Sequence, residues 1–187
     1  MLAHFIREAH KMELNIPAGI EVKVEPAQIS VKGPKGQVAR EYPKDVEIKK
    51  TDNKIEVLTK EKTAAARALV GTFVAHIKNM FIGVQTPFTY KLKVASIHFP
   101  ITVVIQNDIL SVQNFLGEKR PRRVKIPAGA TVKVQGEFIT VESPDIEVAG
   151  ITATKIEQAT RVRSRDRRTF LDGIYMIEKA GEPISAE

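Results

Sequence analysis

Ile16-Pro17-Ala18-Gly19-Ile20-Glu21-Val22-Lys23-Val24 returns as Ile126-Pro127-Ala128-Gly129-Ala130-Thr131-Val132-Lys133-Val134, and this pair of stretches decides how the chain is read. Holding the same offset, Ile29, Val31 and Pro34 meet Ile139, Val141 and Pro144. Ten of nineteen positions are then identical, where composition alone would give about one. The match indicates duplication. In each copy a VKV strand is followed by a turn and then by an alternating strand, Gln28-Ile29-Ser30-Val31 or Phe138-Ile139-Thr140-Val141, as in a meander with one buried face.

Outward from these stretches, two hairpins are expected to add strands to each half's sheet. One runs from Val46 to Leu58 through Thr51-Asp52-Asn53, the other from Ile101 to Val112 through Gln106-Asn107-Asp108. Thr63 to Phe81 carries Ala66, Leu69, Val70, Phe73, Val74, Ile77, Met80 and Phe81 on one helical stripe, with Thr63 as its cap and Gly83 at its end. The matching helix is expected at Thr152 to Arg163, with Ile156, Ala159 and Val162 inward. Thr89 to Val94 is read as the last strand of the first half and the bridge to the second. The apolar run from Phe170 to Ile177, with a turn signal inside it, is expected to fold back onto the second half.

The fold class is therefore α+β, two tandem duplicated domains, each a mostly antiparallel sheet packed on one helix. The expected boundaries are an N-terminal extension over residues 1–11, a first domain over 12–92, a second over 93–180 and a frayed tail over 181–187.

The 187 residues carry Lys+Arg 29 against Asp+Glu 22, a net charge of +7, which points to a polyanionic partner. Two clusters concentrate that charge: Lys119, Arg120, Arg122 and Arg123 around Pro121, and Arg161, Arg163, Arg165, Arg167 and Arg168 in the run RVRSRDRR. Guanidinium groups stay charged and fork onto planar anions, so such density calls for phosphate opposite it. The second cluster is expected to leave the C-terminus of its helix, where the dipole favours cations, with Asp166 orienting the arginines by ion pairing. Both clusters lie in the second half, which is read as the main nucleic-acid-binding half. Aromatic residues are only 6% and Trp is absent, so recognition by shape and backbone suits the chain better than base stacking, and RNA better than DNA.

Catalytic chemistry is not legible. The absence of cysteine excludes disulfides, thiolate metal sites and cysteine nucleophiles, and fits a cytoplasmic setting. His4, His10, His76 and His98 lack metal-ligand spacing, and Gly33-Pro34-Lys35-Gly36 lacks the Lys-Ser/Thr of a phosphate loop and reads as a turn. No catalytic, metal or cofactor residue is assigned, and neither a membrane span nor a small-molecule substrate is expected. A nucleic-acid-processing enzyme and an adaptor for acidic partners are the alternatives.

The duplicated Ile-Pro-x-Gly, the turn Val31 to Gly36, Arg67-Ala68-Leu69 and Asn79 to Val84 together resemble the large-subunit ribosomal protein L-six family. Arg161 to Arg168 leading into Phe170-Leu171-Asp172-Gly173-Ile174-Tyr175 and Glu178-Lys179 is similar to its archaeal and eukaryotic branch, while only Gly173-Ile174-Tyr175 echoes the bacterial ending. The resemblance implies a non-enzymatic part of the large ribosomal subunit with no cofactor. It further implies that the second domain docks on large-subunit rRNA near the sarcin-ricin loop, with ribosomal proteins and translation factors as neighbours.

Overall fold

Helix α1 (Ala64–Gln85) begins where the Thr63 hydroxyl accepts a hydrogen bond from the Ala66 amide, at 3.1 Å. Its residues are poor choices for an isolated helix, since Val70, Val74, Ile77, Ile82 and Val84 are β-branched and Gly71 and Gly83 are flexible. Burial holds it instead. Val70, Phe73, Val74, Ile77, Met80, Phe81 and Val84 are all buried, at about 1.5–3 kcal/mol gross for each large apolar side chain. Gly83 lies inside the helix, not at its end; the helix runs on to Thr86, whose amide reaches the Ile82 carbonyl, and Pro87 follows.

A computed structural model describes residues 10–166 and 168–184. The chain divides into two units between Thr86 and Pro87. In the first, β1 (His10–Asn15), β6 (Lys54–Thr59) and β5 (Val46–Thr51) form one antiparallel sheet in that order. A second sheet is the meander β2 (Glu21–Glu25), β3 (Gln28–Gly33), β4 (Gly36–Glu41). The hairpin at Asp52 thus builds its own sheet and does not extend the meander. His10 and Lys11 belong to β1 and so are not part of an extension; residues 1–9 lie outside the described residues.

Lys35 donates its amide to the Val84 carbonyl at 3.0 Å, so the Gly33–Gly36 turn satisfies one of the orphan acceptors at the end of α1. That approach requires Gly33: a Cβ there would sit 2.7 Å from Val84 Cγ2 and 3.0 Å from the Val84 carbonyl oxygen. Gly33→Ala is expected to lower unfolding stability by about 2 kcal/mol through overpacking. A urea midpoint equal to the parent's would show that turn and helix separate at no cost.

The second unit contains β7 (Phe88–Ala95), β8 (Thr102–Gln106), β9 (Ile109–Gln113), a 3-10 turn at Phe115–Gly117, β10 (Arg122–Lys125), β11 (Thr131–Gln135), β12 (Phe138–Ser143), helix α2 (Ile146–Ala159), β13 (Gly173–Lys179) and β14 (Glu182–Pro183). Its sheets are ordered β10-β9-β8 and β11-β12-β7-β13-β14. β7 is the middle strand of the larger sheet, bonded to β12 and β13, so it belongs wholly to this unit, and a boundary at 92/93 would cut it. The run after Phe170 supplies β13, and Glu182–Pro183 pairs with it, so the fraying expected from 181 does not hold over that strand; residues 185–187 lie outside the described residues.

Element order also corrects the register of the duplication. Each unit contains a strand, a hairpin, a strand, a hairpin and a helix: β1, β2–β3, β4, β5–β6, α1 against β7, β8–β9, β10, β11–β12, α2. The sheet pairings agree, since β1 pairs with β6 as β7 pairs with β12, and β4 with β3 as β10 with β9. The two Ile-Pro-Ala-Gly stretches therefore precede different hairpins of the repeat. They are alike because both do the same job: the Ile16 amide bonds the Asn53 carbonyl in the turn of the other hairpin, and the Ile126 amide bonds Asp108 likewise.

Helix α2 begins earlier than expected, where Asp145 accepts from the Glu147 amide, and ends at Thr160. It buries Ala149, Thr152, Ala153 and Ile156. Gly150 lets it close on β7, where a Cβ would meet the Tyr90 hydroxyl at 3.2 Å.

Candidate nucleic-acid interface

The arginine run does not continue α2; it is an irregular loop fixed at both ends. At its start, Thr160 and Arg161 turn their amides onto Glu157 and Gln158, tightening the last turn. The Thr160 hydroxyl accepts from the Ile174 amide at 2.9 Å, tying the start of the loop to β13. Arg122, reaching from β10, donates to the Ala159 carbonyl at 2.8 Å and to that of Arg161 at 3.3 Å. Its other nitrogens hold Glu118 bidentately, and its guanidinium lies over the buried Phe115 ring, 4.3 Å from the centroid. Arg122 is therefore committed inside the protein.

Within the loop, Val162 is buried and anchors the chain, while Arg161, Arg163, Arg165 and Arg168 are exposed. Ser164 takes a left-handed conformation, φ 57°. Among the described residues Asp166 makes no salt bridge to a guanidinium: its carboxylate accepts from the Arg168 amide at 2.9 Å, and its carbonyl from those of Thr169 and Phe170. It shapes a turn. Arg165 stacks on Phe170, 4.8 Å from the ring centroid. Among the described residues no carboxylate makes a salt bridge to Arg161, Arg163, Arg165 or Arg168. Arg167 lies outside the described residues.

At the far end, Asp172 is fully buried. One oxygen accepts from the amides of Ile97 and His98, at 2.7 and 2.8 Å, and the other lies 2.6 Å from His98 Nδ1. Since a carboxylate only accepts, Nδ1 carries the hydrogen. The His98 ring lies against Phe170, centroids 5.0 Å apart. Burial pushes the Asp172 carboxyl up, but the hydrogen bonds from the His98 ring and the two amides, with the charge on His98, outweigh it and hold the carboxyl at about 2.

A carboxyl depressed on folding stabilises the native state above its unfolded value and loses that contribution as pH falls through its folded value. The window here runs from about pH 4 down to about pH 2. At a site whose partner His98 is a third exposed, screening leaves about 1 kcal/mol. Urea unfolding of the parent should therefore weaken over this window by more than that of Asp172→Asn; parallel pH profiles would refute the assignment.

The two basic clusters converge. The Arg122 guanidinium bonded to Glu118 holds that carboxyl below the usual range against an opposing effect of burial, and the charges of Arg122 and Arg165 add to it. Lys119, Arg120 and Arg123 are exposed on the same unit. Of the described cationic residues expected to face an anion, only Arg122 is turned inward. Sequence reading misses Glu118, Phe115, Phe170, His98 and Asp172. His98 and Asp172 are 74 positions apart, and no local spacing links them.

Residues 16–86 and 99–173 match the sequence profile of the family described as Ribosomal protein L6. The matches begin before β2 and before β8, the register that the sheet pairings give. The chain belongs to this family. Relatives named large ribosomal subunit protein uL6 include that of Sulfurisphaera tokodaii, 44% identical over 177 residues and 94% of each chain. The relative from Desulfurococcus amylolyticus is 44% identical over 98% of this chain and all of its own, and that from Methanothrix thermoacetophila 44% over 89% and 95%. As a member of the family the chain is a structural component of the large ribosomal subunit and not an enzyme. No helix among the described residues is long and apolar enough to cross a membrane.

Proposed function

We propose that the second unit docks this protein on large-subunit rRNA near the sarcin-ricin region of the cytoplasmic ribosome, among neighbouring ribosomal proteins and close to where translation factors bind. The observation that carries the reading is the loop at 161–168, whose exposed arginines have no carboxylate salt bridge among the described residues and whose backbone is fixed by other groups. Arg161, Arg163, Arg165 and Arg168, with the exposed Lys119, Arg120 and Arg123 of the same unit, then meet phosphates, and Arg167 is assigned with them on sequence alone. Arg122 serves the interface from within. Family membership supports rRNA as the polyanion.

Chemical footprinting of the full chain on large-subunit rRNA tests the placement: protection is expected around the sarcin-ricin loop, and protection confined to other regions would overturn it. Affinity should also fall with salt by about 0.7–0.9 log units per log unit of salt for each phosphate neutralised. A flat response would replace backbone contact by base readout, and tighter binding to an acidic protein than to rRNA would favour the adaptor alternative.

A further inference from the structure

The exit of the arginine loop is held by a chain of contacts that the rRNA reading does not itself require. Asp172 fixes Ile97 and His98, the His98 ring lies on Phe170, and Phe170 carries the Arg165 guanidinium. Arg165 is exposed and Asp172 fully buried, so the charge that faces solvent is oriented by a carboxylate that never reaches it. A carboxylate with no solvent exposure is costly unless fully bonded. Three donors meet it here, two of them backbone amides from a segment remote in sequence, so Ile97 and His98 are tied to the loop exit. The Ile174 amide on Thr160 joins the two ends of the same loop.

We infer that Asp172 is a positioning residue for RNA binding, acting through His98 and Phe170 to hold Arg165 where a phosphate meets it. The inference rests on the docking reading above. Long arginine side chains lose conformational freedom on binding, and a guanidinium already stacked on a fixed ring has less to lose. The contribution is therefore one of preorganisation: removing the carboxylate leaves every phosphate-facing cation in place and lowers affinity without changing the number of phosphates met.

The test is a double-mutant cycle in the full-length chain, using Asp172→Ala, Arg165→Ala and both together. Binding to large-subunit rRNA is measured across a salt series, with urea unfolding alongside. Asp172→Ala is expected to weaken binding about threefold at an unchanged salt slope. Arg165→Ala should weaken it about tenfold in the parent and about threefold in the Asp172→Ala background, where the guanidinium still meets its phosphate but is no longer held ready for it. Additive losses, or parental affinity in Asp172→Ala, would overturn the inference.

Should Asp172→Ala not fold, His98→Asn carries the decision. Its amide nitrogen can still meet the carboxylate, but the ring on Phe170 is gone. Weaker binding at an unchanged slope, non-additive with Arg165→Ala, is expected; affinity equal to the parent's would overturn the proposal. Arg161→Ala/Arg163→Ala/Arg168→Ala is the control that separates the two readings. If it binds rRNA like the parent, the docking reading falls. If it binds weakly while the cycle is additive, only the positioning role falls.

Discussion

Replacing Arg161, Arg163, Arg165 and Arg168 together by alanine is expected to weaken rRNA binding by about 100-fold or more, since each charge-assisted hydrogen bond to a phosphate contributes about 1 kcal/mol. The salt slope should fall by about 3, four phosphates at about 0.7–0.9 each. Stability should change by less than about 1 kcal/mol, because all four side chains are exposed and only Arg165 stacks on a ring. Changing the four to lysine keeps the charge and most of the slope but removes the planar fork, so affinity should fall between parent and alanine variant. Parental affinity in a folded alanine variant would move the docking surface elsewhere.

The elements that are legible in sequence share one property: their signal is local. Alternation marks β3 and β12, turn residues mark Asp52 and Asn107, and a stripe of large apolar residues marks α1. Helix α2 has no such stripe, because its inner face is made of Ala149, Thr152, Ala153 and Ile156, mostly small residues that let it close on β7. Gly150 and four β-branched residues, Ile146, Val148, Ile151 and Thr152, make its first two turns look like strand. β7 reads as part of the wrong half for a different reason: which hairpin a strand pairs with depends on contacts far along the chain, and the local identity of the two Ile-Pro-Ala-Gly stretches suggests a register that those pairings contradict.

The candidate interface is legible as charge and not as architecture. Counting arginines finds the loop, but the groups that shape it, Asp172, His98, Phe170 and Glu118, are remote in sequence or chemically ordinary. One signal is available. In β10 the alternation places Arg122 on the same face as the buried Val124, and Arg123 and Lys125 on the other, so a strand reading of that segment turns Arg122 inward.

That inward arginine carries a large stability effect. Arg122→Ala should lower unfolding stability by about 3 kcal/mol. The substitution removes donors from the Ala159 and Arg161 carbonyls, leaves the end of α2 unsatisfied, and strips the cover from the Phe115 ring. The ion pair with Glu118 adds little to the total, because Glu118 is 42% exposed and can return to water. Glu118→Gln should therefore cost less than about 1 kcal/mol, and the contrast between the two variants identifies the carbonyls and the ring, not the charge pair, as what Arg122 serves. Arg122→Lys retains the stem over Phe115 but offers a single point of charge to acceptors spread around a fork, so it should recover about half of the deficit. Urea unfolding of the three variants at neutral pH decides the matter: equal destabilisation by Arg122→Ala and Glu118→Gln would make the salt bridge the dominant interaction and leave the end of α2 to be held by Thr160 alone.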